Sequence, residues 1–341
     1  MLPDCGLQKP PPNCRVNVTL PWNSEQSLET FVFNLLYVAV SLLGGSIVLV
    51  GILSSILCVL VFSRNHITLR TTRRLLILNF ITDVLYLSFL GCPTILIGLY
   101  RKDSVSNLAR DCFYTMANVV QIFRNWTITI IALERVLLLC YPIYFKFYWN
   151  LKRVTHLVYV VGTLSAFLRT NTVLTLVYKY NGLCSIAAKL FSLDALIDVV
   201  FLTFLPLILL SFISVRIFVE IQRVQQWRYS LNSMHRKGEL NYRHFEARIH
   251  RTLLMVLVLF TILSIPYFPN GVLRVLQAMR IGGCQVYLWQ RITSVAAYTG
   301  TLLNSTVNCF VYLICWPRFR HIVWRTLTSP LKSCFACLQK Q

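Results

Sequence analysis

Charge is scarce in this chain, and negative charge scarcer still: 13% of its 341 residues are charged, with 12 Asp and Glu against 33 Lys and Arg. A hydrophobic content of 56% accompanies that shortage and places the chain outside the range of water-soluble domains. Catalytic signatures are missing too. The sequence has no His-Glu-x-x-His, no Gly-x-Ser-x-Gly, no glycine-rich phosphate loop after a strand and no Cys/His group at metal spacing. An enzyme, a metal site and a cofactor are therefore not expected. The opening residues MLPDCGLQKPPPNC lack the apolar core of a cleavable signal peptide, which leaves the first apolar run to act as its own insertion signal. Pro93, Pro206, Pro266 and Pro269 do not repeat between halves, so the internal symmetry common in transporters is also lacking.

What the chain does have is long apolar runs. A helix crossing hydrocarbon needs about 20 such residues, and seven runs qualify: Phe31 to Phe62, Leu75 to Leu99, Cys112 to Cys140, Leu157 to Tyr178, Leu193 to Phe218, Leu253 to Ala278 and Tyr287 to Ile314. The expected fold is an all-α seven-transmembrane helix bundle spanning 31–314, with a tail over 1–30 and a cytoplasmic segment over 315–341. An odd number of spans puts the termini on opposite faces. Lys and Arg crowd the segments after the first, third, fifth and seventh runs, including Arg64, Arg74, Lys152, Arg223, Arg251 and Arg320. That side is cytoplasmic, and the net charge of +21 meets anionic lipid there rather than nucleic acid. A plasma-membrane protein with an extracellular N-terminus is the expected arrangement. Asn17, in an Asn-Val-Thr triplet, is then a glycosylation acceptor. Cys5, Cys14, Cys112, Cys184 and Cys284 would face the oxidising exterior. Past the last run, the basic amphipathic stretch WPRFRHIVWRTL predicts an interfacial eighth helix, followed by Cys334 and Cys337 as palmitoylation sites or as ordinary reduced thiols.

Six motifs fall in order along these runs. They are LNFITD with Asp83, LERVLLLCYP with Glu134 and Arg135, FLPLILL with Pro206, FTILSIP with Phe260 and Pro266, NSTVNCFVY with Asn304, Ser305, Asn308 and Tyr312, and the following RFR. Together they resemble the rhodopsin-like (class A) G-protein-coupled receptors, and TITIIALERVLLLCYP, ILSSILCVLVFSR and LPLILLSFISVRI are most similar to invertebrate neuropeptide receptors of the FMRFamide type. The resemblance implies an extracellular peptide or small-molecule ligand, a heterotrimeric G protein and arrestin as partners. It also implies a switch built on Glu134, Arg135, Phe260, Pro266, Asn308 and Tyr312, and a Cys112–Cys184 disulfide stapling a loop over the bundle mouth. Where the family carries an amine-binding acid or a retinal lysine, this chain has Ala117 and Leu302, which excludes both ligands. It departs from the family pattern at Ser55, at Ser264 in place of the usual Trp, at Cys309 in place of the usual Pro, and in having Cys112 only 23 residues before Arg135.

Arg124 has no counterpart in the resemblance. It lies eleven residues, about three turns and roughly 16 Å, from Arg135 on nearly the same helix face, so it points inward. A charge at the bilayer centre costs about 3 kcal/mol or more. Asp83, about 12 Å deep in the second run, is the expected partner, and the pair would stand in for the sodium ion the family binds there. The alternative is a side chain that snorkels or faces a water-filled cavity. Nearer the outside, Asp194 and Asp198 share one helical face. Either they receive a cationic ligand group, with Tyr267 among the aromatic candidates for the pocket floor, or Asp194 is a solvated charge at the helix end and Asp198 pairs internally, for instance with Arg169.

Overall fold

The computed structural model describes residues 25–64, 69–99, 104–231, 237–279, 281 and 283–338, and no strand occurs among them. The helices are α1 (Glu25–Arg64), α2 (Arg70–Leu99), α3 (Ser104–Cys140), α4 (Pro142–Tyr148), α5 (Leu151–Leu168) and α6 (Thr170–Tyr180). They continue as α7 (Cys184–Ile197), a π-helical segment (Asp198–Phe204), α8 (Leu205–Leu231), α9 (Lys237–Ser264), α10 (Tyr267–Ala278), α11 (Gly283–Cys315) and α12 (Pro317–Leu338). Five stretches are long and apolar enough to cross a membrane on composition alone: Leu43–Arg64, Arg70–Gly91, Leu151–Tyr180, Cys184–Arg223 and Arg251–Ala278. The remaining two crossings are α3 and α11, 37 and 33 residues long, whose polar side chains are turned inward.

Polarity in this bundle is inverted relative to a water-soluble fold. Phe167 is 75% exposed and Leu53 67%, whereas Asp83, Arg124 and Glu134 are wholly buried. Hydrocarbon solvates the apolar side chains and cannot solvate a charge, so the charges are driven inside. α3 runs through the middle, touching α2, α5, α8 and α9, while α1, α2, α11 and α9 close the ring around it.

The breaks in the long helices follow from single residues. Pro206 has no N–H to give the carbonyl of Leu202 four residues back. The π-helical turn opens there, and α3 supplies the missing donors: Asn125 Nδ2 donates to the Leu202 carbonyl at 3.1 Å and Trp126 Nε1 to that of Phe201 at 3.2 Å. Pro266 likewise ends α9, and the freed Ile262 carbonyl accepts instead from the Ile265 N–H at 3.2 Å. Cys309 stands where a proline would kink the seventh span, and α11 runs through it unbroken.

The Cys112–Cys184 bridge is not formed. Cys112 is a free, exposed thiol, and Cys184 is disulfide-bonded to a different cysteine. The reason lies in Asn181–Gly182. Gly182 takes φ 76°, the Gly182 N–H donates to the Lys179 carbonyl at 3.3 Å and the Leu183 N–H to that of Tyr178 at 3.0 Å. This is a Schellman stop. It turns the chain within three residues, so Cys184 is the first residue of α7 and no loop exists there to lie across the bundle. The outer end of α3 is tied to this turn ionically instead, with Lys179 Nζ 2.8 Å and the Tyr180 hydroxyl 3.2 Å from Asp111 Oδ2.

At the other end, Phe62, Phe80, Tyr312, Trp316 and Phe319 form one aromatic cluster, with Phe62 and Phe319 centroids 5.4 Å apart. It fastens α12 to α1, α2 and α11. Asn17 lies outside the described residues, as do the side chains of Cys284, Cys334 and Cys337.

Between α9 and α11 the backbones themselves meet. A Cβ at Gly300 would sit inside the Leu263 carbonyl, whereas one at Gly45 would meet nothing. Gly300→Ala is therefore expected to lower the melting temperature of the purified protein by about 5 °C through overpacking. Gly45→Ala is expected to leave it unchanged or raise it slightly through helix propensity. Equal melting temperatures for the two variants in a thermal-shift assay would contradict this packing.

Candidate functional site

The buried charges gather at three depths. In the middle layer Arg124, on α3, reaches Asp83, on α2, with Nε 3.4 Å from Oδ1. Both side chains are essentially inaccessible. Arg124 Nη1 donates to Ser305 Oγ at 2.6 Å, and Asp83 Oδ2 accepts from Asn79 and Asn308, each at 3.3 Å. The guanidinium also lies 5.1 Å from the Tyr86 ring centroid and 5.8 Å from that of Phe260, where aromatic faces offer further cation stabilisation. Asn304 does not touch the pair among the described contacts; its amide donates to Ser264 Oγ at 3.4 Å. The small Ser264, in place of a Trp, leaves room for α11 to close on α9 at Gly300.

The inner layer holds Glu134 and Arg135. Their separation, 3.9 Å from Nη2 to Oε2, is too long for a hydrogen bond. Glu134 is held elsewhere: its Oε1 accepts from the Thr71 hydroxyl at 2.6 Å and from Trp149 Nε1 at 3.1 Å. Arg135 lines a cavity of about 20 Å³ together with Asn79, Ile131, Asn308 and Tyr312, space for about one water molecule. An arginine so loosely held at the end of a bundle can change partners at small cost.

The outer layer is a four-residue cluster. Arg169, at the break between α5 and α6, lies 3.3 Å from Asp194 and 2.5 Å from Asp198. Arg274, on α10, lies 2.7 Å from Asp198 and 3.8 Å from Asp194, with its guanidinium 5.0 Å from the Phe191 ring centroid. Thr172 donates a further bond of 2.5 Å to Asp194. Two acids and two arginines leave no net charge. Three members are closed off, and the Arg274 side chain alone keeps 26% of its surface exposed. Tyr267 bonds Gln121 Oε1 at 3.3 Å beside the cluster.

Of the expected site residues, the structure thus brings together Asp83, Arg124, Ser305 and Asn308, with Phe260 packed over them. It places Glu134 beside Arg135, with Tyr312 across the small cavity, and joins Asp194, Asp198 and Arg169. For Asp198, the internal partner offered as the alternative is present, whereas Asp194 is not a solvated end charge: it is buried and held by Arg169 and Thr172, because α7 carries it under the break between α5 and α6. Missed from the sequence were Arg274, Gln121, Tyr86, Thr71 and Trp149. Arg274 alone gave a usable signal, being a further lone cation in an apolar span that should have prompted the search for an acid made for Arg124.

Removing one member of a buried pair leaves the other uncompensated, at a cost of about 3–5 kcal/mol. Arg124→Ala should therefore nearly abolish surface expression of an epitope-tagged chain, and Arg124→Leu with Asp83→Asn should restore most of it. Surface labelling by flow cytometry reads this directly, and a single mutant expressed like wild type would refute the dependence.

The family sequence model described as 7 transmembrane receptor (rhodopsin family) matches residues 54–312. No curated protein matches the chain significantly.

Proposed function

The chain belongs to the rhodopsin family of seven-transmembrane receptors, and from that premise we propose that it answers a short amidated peptide, an Arg-Phe-amide foremost. As a family member it is a multi-pass membrane protein, not an enzyme, that takes an extracellular ligand and signals through a G protein. The proposed arrangement has the N-terminus and Asn17 outside the plasma membrane, and Cys334 and Cys337 inside as lipid anchor points. Arrestin would then meet the same face as the G protein.

The observation that carries the peptide reading is the outer cluster. Asp198 is the acid a peptide guanidinium would seek, and its partner Arg274 is the one member open to the outside. A ligand arginine takes the place of Arg274 on Asp198, exchanging one charge-assisted hydrogen bond to Oδ2 for another. Loosening α10 from the π-helical segment in this way shifts an existing equilibrium between bundle packings, which Arg135 completes by leaving Glu134 for the G protein. Arg124, tethered beside Asp83, takes the place of the soluble sodium ion. A second reading has one observation in its favour. Because Asp194 and Asp198 are already paired with arginines, this end of the bundle also suits a small molecule that makes no acidic contact, as in a divergent chemosensory receptor.

In cells carrying G-protein dissociation sensors, an Arg-Phe-amide should give a response that Arg135→Ala abolishes. Arg274→Gln, which removes the internal competitor, should raise peptide potency about tenfold, and Asp198→Asn should lower it. Loss of the response in Arg274→Gln would instead assign the ligand contact to Arg274 and point to an anionic ligand. Replacing NaCl by a bulky organic chloride should leave agonist affinity within about twofold. A strong sodium dependence would remove Arg124 from its proposed role.

A further inference from the structure

Away from these three layers, a groove of about 370 Å³ opens between the start of α2 and the first turns of α5, lined by Arg74, Leu151, Lys152, Thr155, His156 and Tyr159. Lys152, His156 and Tyr159 follow the spacing of one helical stripe. Arg74, Lys152 and His156 are all exposed, and among the described residues no acidic side chain lines the groove. Glu134, though it bonds Thr71 near the start of α2, is buried and turned toward Thr71 and Trp149.

A second feature points the same way. α5 begins at Leu151, and its N-cap, Asn150, makes no side-chain bond to the first turn, which holds no acidic residue. A helix start in this condition presents backbone N–H groups and the positive end of the helix dipole to an incoming anion. Further along α5 the chemistry changes abruptly. Tyr159 is 69% exposed, and Val160, Leu164 and Phe167 continue an outward-facing, mostly apolar wall in which Thr163 turns its hydroxyl back to the Val160 carbonyl. Cations and N–H groups at one end, with hydrocarbon-wetted side chains below, match an amphiphile rather than a soluble anion.

We infer that this groove binds a phospholipid whose headgroup carries phosphate monoesters, as a phosphoinositide does. The phosphates sit among Arg74, Lys152, His156 and the first turn of α5, and an acyl chain lies along Tyr159 and Leu164. The site is independent of the ligand proposed for the outer cluster, and it lies on the face given the basic loops.

The test uses the full-length chain, purified in detergent and freed of lipid, with binding of dioctanoyl phosphatidylinositol 4,5-bisphosphate followed by microscale thermophoresis. Dioctanoyl phosphatidylcholine and free inositol 1,4,5-trisphosphate are the comparison probes. Wild type should bind the phosphoinositide about tenfold or more tightly than either comparison probe. Arg74→Gln/Lys152→Gln/His156→Gln should weaken it about twentyfold, while Arg320→Gln/His321→Gln/Arg325→Gln, removing two arginines and a histidine from α12, should stay within about twofold. Lys152→Glu alone, a reversal at one exposed position, should weaken binding about tenfold and serves if the triple variant is lost in folding. Undiminished binding by these groove variants, or equal weakening by the α12 control, would overturn the site. Free trisphosphate binding as tightly as the lipid would overturn the assignment to a lipid.

Discussion

A guanidinium enclosed in hydrocarbon has to find a carboxylate, and much of this bundle is organised around that requirement at Arg124. The residue sits on the central helix, its acid is on α2, and the polar groups completing the shell, Ser305 and Asn308, are on α11. Three helices are thereby fixed in rotation about their own axes, because turning any of them by a quarter turn would strip a charge of its partner. Apolar packing could not impose this, since lipid tails compete with Leu and Ile for the same surfaces. Where the pair is long for a hydrogen bond, Tyr86 and Phe260 close over the cation and keep the site dry.

The other two layers repeat the solution with different helices. The outer cluster joins the fourth, fifth and sixth spans through Arg169, Asp194, Asp198 and Arg274. The inner one joins α3 to α2 and to the start of the fourth span through Thr71 and Trp149. Of the seven spans, the first, α1, takes no described part in these layers. It is held by Phe62 in the aromatic cluster that also holds α12. The arginine–acid separations differ between the layers: 2.5 and 2.7 Å at Asp198 and 3.3 Å at Asp194 in the outer one, 3.4 Å in the middle one and 3.9 Å at Glu134 in the inner one.

The seven spans and the Arg124–Asp83 contact were legible in the sequence because hydrocarbon permits few alternatives. A run of apolar residues must be helical, and a lone charge within it must be paired. The outer cluster was only half legible. Whether Arg274 faces Asp198 depends on the registers beyond two prolines, and the π-helical turn ahead of Pro206 rotates the outer part of the fifth span in a way that residue counting does not anticipate. The bridge from Cys112 was misread for a local reason. Asn181–Gly182 is a turn signal that ends a helix and permits an immediate reversal, and weighing it would have placed Cys184 on a helix rather than in a loop. The hydrogen bonds from Asn125 and Trp126 to the fifth span were invisible until the carbonyls freed ahead of Pro206 were located.

That three-residue reversal between α6 and α7 also limits how this protein can diversify. A long outer loop tolerates insertion and drift, and so lets a receptor acquire new recognition surface without disturbing its core. Here Gly182 occupies a backbone conformation few other residues accept, and the residues on either side are already helix. Variation in this part of the molecule must be written into the walls of the bundle, where each change is also a change in packing, so its chemical preferences should shift slowly and in few steps.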